Sequence, residues 1–259
     1  MSLAILLHSS KTMVPTPASR PLTTPDFLAE ATQLHGYIKS LTTEQLVKAM
    51  HISAKLAGTV HDTYESWGSG EPSATIEVFR GDIYSGLRAL DFSPTEKDFA
   101  QKHLKIFSGL YGVLRPYDGI YPYRLEAAYT FPDAAFKNLY TFWGDMLKAT
   151  VTDIDSILNL TSVEYEKLLL PFIDSSKIIT PRFLTLMPGS DEPKFVVVHV
   201  KIARGAFARW VIKRGIDSIE GLEKFDDLGY EYDEALSTPL QPVFICRDFK
   251  GIGLSQRLV

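Results

Sequence analysis

The chain contains a short apolar run, Leu3 to Leu7, with polar residues on both sides. Five apolar residues are too few for a membrane span, which needs about 20, and a helix of ordinary length is also longer. A short apolar run bounded by polar residues is typical of a strand covered on both faces. The run therefore predicts a buried central strand.

Capping patterns predict several helices. The clearest begins at Ser93, where a serine cap precedes proline at the first helical position and glutamate at the third. Thr42 and Gln45 form a second capping box, and Pro25 followed by Asp26 favours a third start. The helix that begins at Ser93 is predicted to cover 94–105, and further helices are predicted over 53–66, 137–150 and 162–170 and in a segment that ends at Gly215.

Runs of β-branched and aromatic residues predict strands in the second half of the chain. The segments SKIITPRFLTL and PKFVVVHVKI are separated by a stretch rich in proline and glycine, so they are predicted to pair. Two more strands are predicted near 229–233 and 241–247. These elements indicate a mixed α+β or α/β fold, and 259 residues fit either one large domain or two fused lobes.

Composition excludes several classes of protein. Apolar residues make up 45% of the chain and the net charge is −4, so it does not coat nucleic acid by bulk attraction. Any anion site must therefore be a local cluster of cations. The lone Cys246 cannot form an internal disulfide, and no signal peptide or membrane span is recognisable, so a cytoplasmic protein is expected.

Familiar site motifs are mostly missing. The sequence has no P-loop, no glycine-rich dinucleotide motif, no serine-hydrolase elbow and no paired zinc-ligand spacing, so neither a metal nor a cofactor is predicted. A catalytic triad assembled across the fold stays open, because its members need not be close in sequence. The segment HSSKT, at 8–12, follows the first predicted strand and includes Lys11, which gives a weak phosphate-site signal.

The segment 107–127 is unusually rich in tyrosine, glycine, proline and arginine. One interpretation is structural, with Arg115 and Arg124 paired to Asp118 and Glu126. The other is functional, with the two guanidinium groups holding a phosphate or carboxylate and nearby tyrosines stacking on a base. Residue types alone do not decide between them.

A second group of cations and several acids raise the same question. Lys201 is predicted at the end of a strand and Arg204 in the first turn of the next helix, where a cation opposes the helix dipole unless an anion also binds. The alternative is a surface lysine and a surface ion pair. Asp82 follows a glycine, and Glu164 with Tyr165 follows Ser162 in a short predicted helix. Capping and backbone hydrogen bonds would explain these acids without function.

Together these segments resemble the YaaA peroxide-stress protein family. The resemblance rests on SKT at 10–12, ISAKLAG at 52–58, RGDIYSGL at 80–87, SGLYGVLRPYDGIYPYRLE at 108–126, FWGD at 142–145, NLTSVEY at 159–165 and KIARGAFARW at 201–210. It implies a single α+β domain over 1–259, with a mixed β-sheet surrounded by helices and a positively charged cleft. It also implies a cytoplasmic DNA-binding protein that limits free iron and DNA damage during hydrogen peroxide stress.

The resemblance also implies a helix-hairpin-helix-like element, whose glycine spacing is matched by 108–113 after the helix predicted over 94–105. Two departures from the family lie beside the proposed cleft. The usual opening SPAKT is HSSKT here, which introduces His8, and Ala127 with Ala128 replaces the usual Met-Gly. Both departures bear on the ligand and the geometry of the site.

Three hypotheses follow. In the first, a groove binds the phosphates of DNA or of another phosphate-bearing ligand through cations and a stacking tyrosine: Lys11, Lys55, Arg115, Tyr123, Arg124, Lys201 and Arg204. In the second, the chain is an enzyme that acts on a nucleotide or another small anion, with catalytic candidates Lys55, Asp82, Glu164 and Tyr165. In the third, it is a structural partner protein without a ligand, and the protein partners are unknown.

Overall fold

The computed structural model describes residues 2–131 and 134–247, and it confirms the predicted α+β class. The strands are β1 Leu3–His8, β2 Thr12–Met13, β3 Ser73–Ala74, β4 Phe79–Arg80, β5 Leu104–Ser108, β6 Gly112–Leu114, β7 Gly119–Ile120, β8 Ser156–Asn159, β9 Ile178–Ile179, β10 Arg182–Leu186, β11 Pro193–Lys194, β12 Tyr230–Tyr232 and β13 Val243–Cys246. The helices are α1 Leu28–Lys39, α2 Thr43–Met50, α3 Ala54–Glu65, α4 Thr75–Val78, α5 Asp82–Leu87, α6 Pro94–His103, α7 Leu139–Trp143, α8 Val163–Glu166 and α9 Val197–Arg214. Short 3-10 turns connect several of them.

The apolar run near residue 3 forms the middle strand of a five-stranded sheet, as predicted. The strand order is β6-β5-β1-β8-β9, and β1 pairs in parallel with β5 on one side and β8 on the other. Every residue of β1 is buried. Parallel sheets of this kind are covered on both faces, which is why their central strands are continuous apolar runs.

A second sheet is formed by the C-terminal part of the chain. Its order is β11-β10-β13-β12, with β10 parallel to β13 and the outer pairs antiparallel. The strands predicted near 229–233 and 241–247 are therefore confirmed. Two small two-stranded sheets, β2 with β4 and β3 with β7, complete the sheets in the described residues.

The capping signals locate helices well. Both capping boxes are present, at Thr42 and Ser93, and Gly215 ends α9 in the left-handed conformation. Other boundaries differ from the prediction. The first helix begins at Leu28, α6 ends at His103, and the segments 137–150 and 162–170 are mostly replaced by the shorter α7 and α8 with 3-10 turns.

The prediction of a strand over PKFVVVHVKI is wrong beyond its first residues. Only Pro193–Lys194 pairs with β10, and α9 already begins at Val197. Val200 and Ile202 of this segment are buried in α9, whereas Val197 in its first turn is 55% exposed, and the helix packs against α5 on one side and β10 on another. Packing therefore overrides the local β preference.

The interpretation of 108–113 as part of a helix-hairpin-helix element is also wrong. These residues form a β-hairpin in which Ser108 of β5 faces Gly112 of β6. Gly112 has a φ of 70°, which suits a tight turn between strands. The helix α6 runs directly into β5, and the strand β6 follows in place of a second helix.

Two glycines let α5 and α9 cross closely. A Cβ atom added at Gly205 would lie 1.8 Å from the carbonyl oxygen of Ile83, and one added at Gly86 would lie 2.1 Å from the carbonyl oxygen of Ile202. Backbone therefore packs on backbone at this crossing. The contact fixes the N-terminal end of α5, with Asp82, beside the middle of α9.

Most buried apolar side chains form one contiguous cluster that runs from β1 through α9 to β13. A single domain over 1–259 stays a prediction, since residues 248–259 lie outside the described part of the chain. In the described residues, no helix is both long and apolar enough to cross a lipid bilayer.

Candidate functional site

A cavity of about 240 Å³ lies at the end of β1. Four parts of the chain line it: residues 8–11, residues 81–84, Glu126 and Lys201. We call it the His8 cavity. It holds cations, acids and hydroxyl groups within one small volume.

The fold explains why these residues meet. β1, β5 and β8 are parallel, so their carboxyl ends lie at the same edge of the sheet. Ligands of parallel α/β sheets bind in the crevice outside those ends. His8 closes β1, Ser108 closes β5, and Tyr165 follows β8 by one short turn. The backbone N–H of Ser9 donates to the carbonyl oxygen of Phe107 at 2.7 Å, which holds the loop after β1 against β5.

His8 is a buried, neutral imidazole. Its ring stacks on Tyr165 with centroids 4.6 Å apart and planes 7° from parallel. Its Nδ1 lies 2.9 Å from the carbonyl oxygen of Ser9, and because a carbonyl only accepts, Nδ1 carries the proton. Burial lowers the pKa of His8 to about 4, with a smaller contribution from the charges of Arg204 and Lys201, while the hydrogen bond to Ser9 opposes the decrease.

Glu126 is a buried carboxylate at the centre of the charged groups. Its Oε2 lies 3.9 Å from Nζ of Lys11, whose side chain is 58% exposed. Burial raises the pKa of Glu126, and the charge of Glu164 raises it further, while Lys11, Arg124 and a hydrogen bond from Tyr165 oppose the increase. An acid of this kind can exchange a proton near neutral pH more readily than an exposed glutamate.

Two tyrosines connect the ends of the three strands. The hydroxyl of Tyr165 lies 3.1 Å from Oγ of Ser9, and the hydroxyl of Tyr123 lies 2.6 Å from Oγ of Ser108. Burial raises the pKa of both phenols well above 10, so both stay protonated. Tyr165 thereby holds the loop after β1 in place, and Tyr123 holds the end of β5.

Lys201 and Arg204 bring positive charge from α9. They are three residues apart and so share one helix face. The guanidinium of Arg204 is largely buried, which lowers its pKa, and the charge of Glu166 partly compensates. The prediction that Lys201 ends a strand and Arg204 lies in the first helical turn is wrong, because α9 begins at Val197. Neither residue therefore lies at the positive end of the helix dipole.

A larger cavity of about 580 Å³ adjoins the His8 cavity. The two share Gly81, Asp82 and Tyr84. The larger one extends towards Arg80 and Arg88. A ligand in the His8 cavity therefore has adjoining space for a further group.

The structure brings together most of the predicted site residues. Lys11, Asp82 and Lys201 line the His8 cavity. The others contact or electrostatically influence its lining: Tyr165 and Arg204 at His8, Arg124 and Glu164 at Glu126, and Tyr123 beneath the loop after β1.

Two predicted residues lie elsewhere. Arg115 is held in a structural network, 2.9 Å from Asp118 and 3.2 Å from Asp26, and it donates to the carbonyl oxygen of Thr24 at 2.7 Å. For Arg115 the structural interpretation is therefore the correct one. Lys55 is an exposed residue of α3 and does not line the His8 cavity.

Sequence reasoning did not propose His8, Ser9 or Glu126 as site residues. His8 and Ser9 follow the predicted strand directly, within the same HSSKT segment that suggested a phosphate site. Glu126 was predicted only as the ion-pair partner of an arginine. The sequence signal that could have identified them is their position, since all three lie where a buried strand or the tyrosine-rich segment ends.

The described residues contain no group of three or more His, Cys, Asp or Glu side chains arranged to hold a metal ion. The buried Cys246 lies in β13 of the second sheet. The chemistry of the His8 cavity therefore rests on its cations, acids, hydroxyls and one imidazole.

Comparison with known proteins identifies the family. A family model described as peroxide stress protein YaaA matches residues 3–236. A UPF0246 protein of Salinispora tropica is 46% identical over 257 residues, which covers 98% of this chain and 97% of the relative. UPF0246 proteins of Ruegeria sp. strain TM1040 and Shewanella sp. strain W3-18-1 are 39% and 38% identical, over 86% and 93% of this chain. The chain therefore belongs to the YaaA peroxide stress protein family.

Proposed function

We propose that this protein acts in the cytoplasm during peroxide stress, where it binds DNA through the His8 cavity, protects it and limits free iron. Family membership supports the stress role. The resemblance in the sequence motifs supports the roles in DNA protection and iron control. The cavity supports a local site for phosphate on a chain whose net charge is negative.

One observation carries the proposal of a phosphate site. Lys11, Lys201 and Arg204 come from distant parts of the sequence, yet all three lie in or beside one cavity. Like charges brought together repel each other, so a fold gains from an anion that binds among them. A phosphate group, as a compact anion with several acceptor oxygens, fits such a cluster.

A salt titration tests the proposal. Binding of a fluorescein-labelled duplex would be followed by anisotropy between 50 and 500 mM salt. Each lost phosphate contact should reduce the log–log salt slope by about one, so Lys201→Met should lower both the affinity and the slope. Affinity that does not change over this salt range would refute DNA binding through phosphates.

Lys213→Met is the matched control. Lys213 lies on the same helix, 12 residues or about 18 Å further along its axis, where it pairs with Glu96. Its replacement removes the same charge and should leave DNA affinity close to that of the wild type. If the two variants lose affinity equally, the effect is one of net charge and the His8 cavity is not the site.

A second function is favoured by the acids. Glu126 contacts both Lys11 and Tyr165, and Asp82 lines the same cavity. A groove that only binds DNA has little use for carboxylates among its cations, whereas an enzyme acting on a nucleotide or another small anion needs proton donors and acceptors. In this alternative Glu126, with its raised pKa, is the acid–base group, together with Asp82 or Glu164.

Product analysis would test the alternative. The purified protein would be incubated with a panel of nucleoside mono-, di- and triphosphates, and the products separated by chromatography. The enzyme hypothesis expects turnover that is lost in Glu126→Gln with nucleotide binding retained. No turnover of any panel member, together with salt-dependent DNA binding, would favour the binding role.

A further inference from the structure

The imidazole of His8 has one polar atom without a partner. Nδ1 donates to the carbonyl oxygen of Ser9, so Nε2 carries the lone pair and can only accept a hydrogen bond. Nε2 is shielded from solvent and has no hydrogen-bond partner within residues 2–131 and 134–247. Buried polar atoms in folded proteins are nearly always paired, so an unpaired acceptor beside a cavity indicates a missing donor.

The surroundings of His8 restrict what that donor can belong to. Lys201 and Arg204 of α9 both act electrostatically on the ring, and Lys11 also lines the cavity. The carboxylates of Asp82 and Glu126 line the same cavity, but the two charges that act on the imidazole itself are positive, so at His8 an anion is favoured over a cation. The ligand must therefore carry negative charge and, on the same group, a hydrogen-bond donor that can reach an imidazole nitrogen.

Few anions meet both requirements. Sulfate and the internal phosphodiesters of DNA carry no proton at neutral pH, so neither can donate to Nε2. Inorganic phosphate retains a P–O–H group, and a phosphate monoester with a second pKa near 6 retains one in part. These species offer charge to the cations and a proton to the acceptor.

We propose that the His8 cavity selects phosphate groups that carry a P–O–H, and that Nε2 of His8 accepts the hydrogen bond from that hydroxyl. This inference rests on the proposed phosphate site and adds its specificity. Internal DNA phosphates would satisfy the cations but leave Nε2 unpaired. The preferred ligand is then a terminal phosphate, either at the end of a DNA strand or on a free nucleotide.

The local groups keep His8 an acceptor. Tyr165 stacks on the ring, the hydroxyl of Tyr84 donates to the backbone oxygen of His8 at 3.1 Å, and the two cations of α9 oppose protonation. With a pKa of about 4, the ring stays neutral throughout the physiological range. A proton on the ligand, and not one on the protein, therefore completes the hydrogen bond.

Comparison of two anions tests the inference directly. Binding of sodium phosphate and sodium sulfate to the wild-type protein would be measured by calorimetry at pH 7 and constant ionic strength. We expect phosphate to bind at least tenfold more tightly. Equal affinities would overturn the inference, and this comparison needs no variant to fold.

His8→Phe should remove the discrimination while keeping a ring to stack on Tyr165. The expected result is weakened phosphate binding with sulfate binding unchanged. His103→Phe is the matched control, because His103 is also buried, stacks on Phe99 at 4.1 Å and bonds a backbone oxygen through Nδ1. It lies at the opposite end of β1, where Leu3 supplies that oxygen. A His8→Phe variant that folds and still prefers phosphate would contradict the inference.

Competition at pH 6.5 distinguishes the two sources of a terminal phosphate. The competitors would be dAMP, a duplex with 5′-phosphates and the same duplex with 5′-hydroxyls. Stronger competition by the phosphorylated duplex than by dAMP supports a DNA end, and the reverse supports a free nucleotide. If neither competes better than the hydroxyl duplex, the inference is wrong.

The outcomes also separate this inference from the proposed function. DNA binding that depends on Lys201, without preference for phosphate over sulfate, would leave the proposed function intact. No binding of either anion or of DNA would refute that function too.

Discussion

Replacement of Gly205 by alanine should separate two helices that hold the site. The new Cβ would lie 1.8 Å from the carbonyl oxygen of Ile83 and 2.8 Å from the backbone nitrogen of Leu87. Carbon and oxygen atoms in close contact normally stay about 3.3 Å apart or more. The backbone of α5 or α9 must therefore move by about 1.5 Å, since neither neighbouring atom belongs to a flexible side chain.

Two opposing effects set the size of the change. Overpacking of a well-packed core costs about 1–3 kcal/mol, and a clash with backbone belongs at the upper end of that range. Alanine in place of glycine within a helix gains about 1 kcal/mol. The net loss in the free energy of unfolding is therefore about 2 kcal/mol. For a chain of this size that corresponds to a fall in Tm of roughly 4–8 °C.

Thermal unfolding monitored by circular dichroism would measure the effect. Gly58→Ala is the matched control, because Gly58 lies inside α3 and a Cβ added there meets nothing within 4 Å. That variant should gain up to about 1 kcal/mol and unfold at a slightly higher temperature. If Gly205→Ala is as stable as Gly58→Ala, the close crossing of α5 and α9 does not exist as described.

Three further perturbations probe other parts of the chain. The pKa of His8 is about 4 in the folded protein and 6.5 in the unfolded chain. As the pH falls from 6.5 to 4, the free energy of unfolding, measured with urea, should therefore fall by about 3 kcal/mol more in the wild type than in His8→Phe. Asp118→Ala should cost about 3 kcal/mol in the same assay, since it leaves Arg115 without its buried partner; a loss below 1 kcal/mol would contradict this. Ser93→Ala should cost about 1 kcal/mol through the lost N-cap of α6, and an unchanged Tm would contradict that.

Local chemistry made much of the fold predictable. The cap at Ser93 and the left-handed Gly215 mark helix ends because each satisfies backbone groups that the helix leaves unpaired. The apolar run of β1 identified the central strand because only a strand covered on both faces has no polar side. These features depend on a few neighbouring residues, and so the sequence displays them.

The error at α9 has a different cause. The segment around His199 contains several β-branched residues, which favour strands on local preference alone. In the structure the segment is helical because Gly205 allows a close approach to α5, and this contact involves residues more than 100 positions apart. No pattern within a short window could reveal that pairing.

The site shows the same division between local and distant effects. The motifs identified Lys11, Asp82 and Lys201 as candidates, and these three do line one cavity. Arg115 was indistinguishable from them by residue type. The buried Asp118 accepts hydrogen bonds from both the side chain and the backbone N–H of Arg115. The positive charge of Arg115 is therefore already paired inside the fold.

The acids of the His8 cavity limit how the site can attract DNA. Glu126 and Asp82 offset much of the charge of Lys11 and Lys201, so the field some way from the cavity is weak. Affinity must then come from short-range contacts to at most three phosphate groups, and not from steering of a long polyanion. The log–log salt slope of DNA binding should accordingly be no steeper than about −3, one contact for each of Lys11, Lys201 and Arg204. A slope near −6 would mean that a larger basic surface, outside this cavity, binds the duplex.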